Sequence, residues 1–307
     1  MSAVGTPARP TVIYVMGAGH SGSTVLGVAL GNCDGTFYAG EVEEWLVKAG
    51  QPGVRGSERT RFWDEVSEGI DEAGLFAADV NRYVERSAAA LRIDRWPARA
   101  RLLRRYRRVS EQLLQAIARV ADAACVVDTS HFPLRARELQ KLRRIDLYLI
   151  FLVRDPHAVV ASNVRALSDH EVAERRWRAL SMNAGLWLTQ LLSVLVFCRQ
   201  PAERRLFLRY EAFVADPEGV LRTILDGVGS SAELPDLDKL RVGAPLQGNR
   251  LLRSETISFQ RSVSAPPRSR LTSLLQLPWV PVLSRLRPSP PLHARTPSAS
   301  GPSGRRR

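Results

Sequence analysis

Residues Gly17-Ala18-Gly19-His20-Ser21-Gly22-Ser23-Thr24 have the spacing of a loop that cradles phosphate. Glycines allow a tight turn that aims backbone N–H groups inward, and a helix opening at Ser23 adds partial positive charge to the same spot. The frame is GxxxxG-S-T, so Ser23 stands where a nucleoside-triphosphate loop would carry lysine. That loss disfavours an ATPase or a kinase and favours an anionic donor with a different terminal group. Asp128 is the only candidate for the metal-holding aspartate of such an enzyme, and its setting is atypical. Val153–Ser162 (VRDPHAVVAS) offers a second anion site. Arg154, directly after a strand-like run, can fork two donors onto a phosphate. Asp155-Pro156 then opens a helix as N-cap and first helical residue, and Ser162 two turns on can present a hydroxyl to the same anion.

These residues need a scaffold that holds them at one edge. Thr11–Gly17 (TVIYVMG), Thr36–Ala39, Ala124–Thr129, Ile145–Val153 and Arg205–Arg209 read as core strands. Helical spacing follows at Thr24–Leu30 and Val42–Ala49, and again near Arg61–Ile70, Val80–Leu91 and Ala98–Ala121. Near-continuous apolar strands alternating with helices predict an α/β fold, a parallel sheet flanked by helices in three layers like those of P-loop proteins. In such sheets ligands bind beyond the carboxyl ends of the strands. Residues 11–264 are expected to form this domain, with a helical insertion at about 50–122.

Composition bounds the remaining possibilities. The chain has 307 residues, 45% hydrophobic and 24% charged, enough for a sizeable core. The longest apolar stretch, Ala184–Cys198, is interrupted by Thr189, Gln190 and Ser193, so it predicts a buried helix rather than a membrane span. With no secretory leader evident, a soluble cytoplasmic protein is expected. Cys33, Cys125 and Cys198 are odd in number, far apart and without a CxxC pair; buried thiols are expected, not a disulfide framework or a structural zinc site. No carboxylate cluster has metal spacing. The net charge is +13, but residues 265–307 hold eight arginines and no acid, so the basicity belongs mostly to the tail and specific nucleic-acid binding is not expected. Nine of the 19 prolines also lie there, which predicts a largely disordered tail. Leu271–Leu286 is the exception, apolar enough to pack on the domain or to make weak contact with a membrane surface.

The motifs resemble those of the sulfotransferase family that uses 3′-phosphoadenosine 5′-phosphosulfate (PAPS), in its bacterial and tyrosylprotein-sulfotransferase-like branch. GAGHSGST at 17–24 is like the family's 5′-phosphosulfate loop, and VRDPHAVVAS is similar to its 3′-phosphate motif. VVDTSHFPLRARELQKL at 126–142 and LRYEAFVADPEGVLRTILDGVG at 208–229 resemble two further family segments. The resemblance implies sulfuryl transfer from PAPS to a hydroxyl or amine, with no metal. It implies donor contacts from Gly19, His20, Ser21, Gly22, Ser23, Thr24, Arg154 and Ser162, joined by Tyr210, Asn249 and Arg253, with Arg165 a weaker addition. The Gly40-Glu41 pair matches the position of the catalytic base, whereas Glu43 and Glu44 are expected to be solvated. His20 and His131 depart from the pattern, standing where relatives carry a basic residue. Beside donor phosphates either is expected to be held protonated, as a cation or as proton donor to the leaving phosphate; alternatively His131 is the base and Glu41 its orienter. Two other readings stay open: a nucleotide-phosphate transferase, and a degenerate sulfotransferase-fold binding protein with a basic tail. The acceptor, whether small molecule, glycan or lipid, is not legible, although Trp45, Trp63 and Trp96 are available to line its site.

Overall fold

The computed structural model describes residues 9–47, 57–70, 81–165, 172–246, 254–261 and 266–286. Strands β1 (Thr11–Gly17), β2 (Thr36–Gly40), β3 (Cys125–His131), β4 (Asp146–Val153) and β5 (Arg205–Arg209) form one parallel sheet in the order β2-β3-β1-β4-β5. The chain leaves the central β1 on one side for β2 and β3 and on the other for β4 and β5. A ligand crevice is expected at such a switch point.

Alternation along β1 sorts its side chains into two cores. Val12, Tyr14 and Met16 face one layer, and Ile13 and Val15 face the other. The β1–β4 register runs unbroken from Thr11↔Asp146 to Gly17↔Leu152, whereas β3 slips against both neighbours near Asp128. Such irregularities bend a strand and re-aim its side chains. Here they sit at the carboxyl end of β3, next to the loop after β1.

The helices are α1 (Ser23–Gly31), α2 (Glu43–Val47), α3 (Ser57–Glu68), α4 (Trp96–Val120), α5 (Pro133–Leu139), α6 (Pro156–Arg165) and α7 (Val172–Arg199). They continue with α8 (Tyr210–Ala215), α9 (Pro217–Gly227), α10 (Arg270–Gln276) and α11 (Trp279–Arg285), while β6 (Leu240–Arg241) and β7 (Thr256–Ile257) form a small antiparallel pair. The α/β sheet expected from the sequence is therefore present, with strand bounds close to those predicted.

Three expectations need correction. The Val80–Leu91 pattern does not form one helix: Asn81–Glu85 makes a wide π turn that sets Glu85 inward, and Ser87–Ala90 a 3-10 turn. The Ala184–Cys198 stretch is helical but only partly buried, because Gln190 and Ser193 turn inward and leave Trp187, Leu191 and Leu195 exposed. Cys33 and Cys125 are buried as expected, but Cys198 is exposed on α7. The Leu271–Leu286 segment packs back through α10 and α11, with Trp279 and Leu283 buried.

Candidate active site

Each strand of the sheet ends in a residue with chemical potential. β1 runs into the glycine loop, β2 into Glu41, β3 into His131, β4 into Arg154 and β5 into Tyr210. In the loop, Gly22 takes φ 95°, and a Cβ placed there would lie 2.2 Å from the Tyr210 ring. Only glycine fits that backbone and that contact. Gly22 leads α1 without any side-chain cap, and no acidic residue occupies the first turn. The first amides of α1 are thus uncapped by side chains and carry the positive end of the helix dipole. Ser21 is buried beneath the loop, Thr24 is buried at the helix start, and Ser23 is half-buried.

Arg154 is aimed at this loop rather than away from it. Its Nη1 donates to the His20 carbonyl at 3.1 Å, and its guanidinium carbon lies 4.6 Å from the Tyr210 ring centroid. Its Nε is buried without a hydrogen-bond partner. Asp155 Oδ1 accepts the His157 amide at 2.7 Å, the expected cap of α6. Ser162, further along α6, lies 3.3 Å from His20 Nδ1. The structure therefore brings the glycine loop, Arg154, Ser162 and Tyr210 together. Asn249 and Arg253 lie outside the described residues, as does the side chain of Arg165.

His20 and His131 both adopt left-handed backbone, at φ 63° and 56°. The His131 Nε2 would lie 3.9 Å from a Cβ on Gly19, so its ring closes one side of the loop. Burial pushes its imidazole down to about 4. Burial and then the Arg154 charge also lower His20. Both directions run against the expectation of protonated histidines: desolvation of each ring, and for His20 the Arg154 guanidinium as well, disfavour a second positive charge. A ring pushed down to about 4 is held neutral at pH 7, and its one N–H is engaged with the Thr129 backbone.

Glu41 has the opposite displacement. Burial, with the Glu44 and Asp128 charges adding to it, pushes its carboxyl up to about 7. Glu43, expected to be solvated, is only 2% exposed, and its amide donates to Ser130 Oγ at 3.2 Å. The helix of α2 turns it under the sheet edge, where burial and the Glu85 charge hold its carboxyl well above the usual range.

Behind His131 lies a polar network that spacing alone did not disclose. Arg135 is fully buried; its Nε and Nη2 donate to Asp128 Oδ2 at 3.1 and 2.9 Å, and its Nη1 reaches Tyr106 Oη at 2.8 Å and Glu85 Oε1 at 3.2 Å. Tyr106 donates to Glu85 at 2.6 Å, and Ser130 donates to Asp128 through both its amide and its hydroxyl. Asp128 is thus turned inward and consumed by Arg135 and Ser130, which removes it as a metal-holding aspartate of a nucleoside triphosphatase. Only the apolar run of β3, with a polar tail, signalled this network. Tyr38 Oη adds a 3.2 Å bond to Thr129 Oγ1 that ties β2 to β3 beside the site. Trp45 and Trp63 are 1% exposed core residues, whereas Trp96 is exposed.

The sulfotransferase family profile matches residues 10–233. The chain belongs to the sulfotransferase family. No curated protein matches the sequence. Among solved structures, the chain is similar to the sulfotransferase domain from the curacin biosynthetic pathway, with TM-score 0.50 and 18% identity over 88% of this chain and 98% of that one. It is also similar to the sulfotransferase domain of the Synechococcus PCC 7002 olefin synthase, with TM-score 0.50 and 20% identity over 89% and 95% of the two chains. At this identity the likeness speaks for the sulfotransferase fold alone. Family membership makes the protein a transferase and supports sulfuryl transfer in general.

Proposed function

We propose that the protein transfers a sulfuryl group from PAPS to a hydroxyl or amine of an acceptor. One observation carries this reading: Arg154, from the β4 motif, donates at 3.1 Å to the loop after β1, so two anion-binding elements far apart in sequence share one mouth. The chain's groups fit a donor with two anionic ends. Uncapped α1 amides and the glycine loop suit the phosphosulfate, and the buried, unpartnered Nε of Arg154 with the Ser162 hydroxyl suits a separate phosphate.

Bound there, PAPS would supply an activated sulfuryl group on a phosphate leaving group. Glu41 accepts the acceptor's proton, so that the acceptor oxygen or nitrogen can bond to sulfur while the sulfur–oxygen bond to phosphate breaks. A base of this kind contributes roughly 10²- to 10⁴-fold. His20, as a neutral imidazole, directs an N–H group toward charge developing on the sulfuryl and phosphate oxygens, while His131, hydrogen-bonded to the Thr129 backbone, walls the loop. Asp128 and Arg135 hold the end of β3, and so His131, in place from behind.

Adenosine 3′,5′-bisphosphate should raise the melting temperature where ATP with magnesium does not, since only a ligand of the native state stabilises it. Sulfur-labelled PAPS incubated with phenols, glycans and lipids should label one acceptor class. Stabilisation by ATP with magnesium alone would overturn the reading in favour of a nucleotide-phosphate transferase.

A further inference from the structure

The outer surface made by α7 and α10 has the reverse of ordinary helix polarity. Along α7, Trp177, Leu180, Ala184, Trp187, Leu191 and Leu195 recur every three or four residues on one face, and all are exposed, Trp177 at 73% and Leu195 at 48%. Asn183, Gln190 and Ser193 on the same helix are buried. The pattern repeats in the C-terminal helices. Leu271, Leu274, Leu277 and Val280 point outward, with Leu274 at 69%, whereas Thr272 and Gln276 are buried.

The two polar rows face each other. Asn183 Nδ2 donates to Thr272 Oγ1 at 3.3 Å, Gln276 Nε2 donates to Asn183 Oδ1 at 3.1 Å, and Trp187 Nε1 donates to the Leu275 carbonyl at 3.2 Å. Hydrogen bonds therefore join the helices, and their apolar rows are left toward solvent. Trp177–Arg199 is long and apolar enough to cross a membrane, and one third of its most apolar window is buried. Its inner side is nonetheless packed on β1, β4 and α5, so it can lie on a bilayer but not pass through one in this fold. The stripe from Trp177 to Leu195 runs about 27 Å at 1.5 Å per residue, far longer than scattered surface apolar residues make.

The charge around this face selects its partner. No Asp or Glu occurs between Arg175 and Ala202 or after Glu255. Arg199, Arg268, Arg270 and Arg285 are exposed and form no ion pair among the described residues. A second copy docking face to face would set these arginines against each other. Residues 287–307 hold a single leucine and five further arginines, which adds to the positive charge of this part of the chain.

We propose that the α7–α10–α11 face docks on an anionic lipid bilayer, its leucines and tryptophans in the headgroup–acyl boundary and its arginines against the headgroups. The inference does not depend on the sulfuryl donor. The face adjoins the site, because the Ser269 amide at the start of α10 donates to His157 Nδ1 on α6 at 3.1 Å.

The test is co-sedimentation of the full chain with phosphatidylcholine vesicles that do or do not contain about one third phosphatidylglycerol. Partition should be at least roughly tenfold stronger with the anionic lipid and should weaken several-fold at about 0.5 M salt. The triple variant Leu274→Gln, Leu277→Gln, Val280→Gln should lose roughly tenfold or more of the partition with an unchanged melting temperature. Should that variant melt early, Trp177→Ser decides, since Trp177 is largely exposed and its loss should weaken partition on its own. Equal pelleting of wild type and a folded variant, or none with anionic vesicles, overturns the proposal. So does a solution dimer that the triple variant dissociates, which would make the face an interface between copies.

Discussion

Arg135 and Arg154 are both guanidinium groups just beyond a strand of the same sheet, but their surroundings differ. Arg135 is wholly buried, and its Nε and both Nη atoms are used, on Asp128, Glu85 and Tyr106. Arg154 has a carbonyl, an aromatic face and an Nε with no partner. A desolvated cation with all its directions matched inside the protein holds structure. One left short of partners at a cleft is arranged for a ligand that brings the missing acceptor. The contrast separates the region behind β3, which positions the site, from the region over β1 and β4, which binds.

The largest effect expected from this contrast is at the saturated arginine. Arg135→Met leaves Asp128 and Glu85 buried without their cation, a loss of about 3–5 kcal/mol. A urea midpoint should fall accordingly, and activity should disappear with folding rather than before it. If Arg135→Met unfolds like wild type yet loses activity, Arg135 belongs to the binding region and the division fails.

Glu41 and Glu43 extend the same contrast to carboxylates. Glu43 is buried against Ser130, whereas Glu41 stands at the exit of β2 with its carboxyl raised to about 7. As a base Glu41 must be ionised, so kcat/KM should rise as pH climbs through about 7 and level off above it. Catalysis by protonated histidines would instead make the rate fall as pH rises. Glu41→Gln should lower kcat roughly 10²- to 10⁴-fold and flatten that limb. The folded pKa lies above the unfolded value, so the native state holds the proton longer, and stability falls as pH rises between the two. At pH 8 Glu41→Gln should therefore melt higher than wild type while working worse, as expected where burial serves chemistry at the expense of folding. A pH–rate profile unchanged by the substitution would remove Glu41 as the base.

The unsaturated arginine comes next. Arg154→Ala should weaken adenosine 3′,5′-bisphosphate roughly 10- to 100-fold, the range of a charge-assisted hydrogen bond, with little change in the urea midpoint. Arg154→Lys should not restore binding, because an ammonium lacks the planar fork and stacks less well on Tyr210. Titration calorimetry measures both. Full affinity in Arg154→Ala would leave the unpartnered Nε without a role.

Much of this contrast was legible beforehand, for physical reasons. Each β-strand is a short apolar run, and a parallel sheet obliges the residues after those runs to share an edge; that alone placed the glycine loop, Glu41, His131 and Arg154 together. Arg135 was not legible, since its partners Glu85 and Tyr106 come from a π turn and a long helix whose packing no local spacing specifies. Glu43 was misplaced because a helix of five residues carries too little periodicity to show which face turns inward. The direction of the histidines' shift was not legible for another reason: residue type gives a reference pKa, but burial and a neighbouring guanidinium move it.

The smallest expected effect probes the seam between loop and helix. Ser162 Oγ lies 3.3 Å from His20 Nδ1, and this pairing can fix which ring nitrogen carries the proton. Removing one neutral hydrogen bond is worth about 1 kcal/mol, so Ser162→Ala should weaken adenosine 3′,5′-bisphosphate roughly fivefold. His20 separates its backbone role from its ring. At φ 63° asparagine is tolerated and valine is strained, so His20→Asn should keep the loop while His20→Val should also lower the melting temperature. If Ser162→Ala costs nothing in His20→Asn but about fivefold in wild type, the two side chains act as one unit. Equal costs in both backgrounds would instead mean that Ser162 meets the ligand directly, on the same side as Arg154.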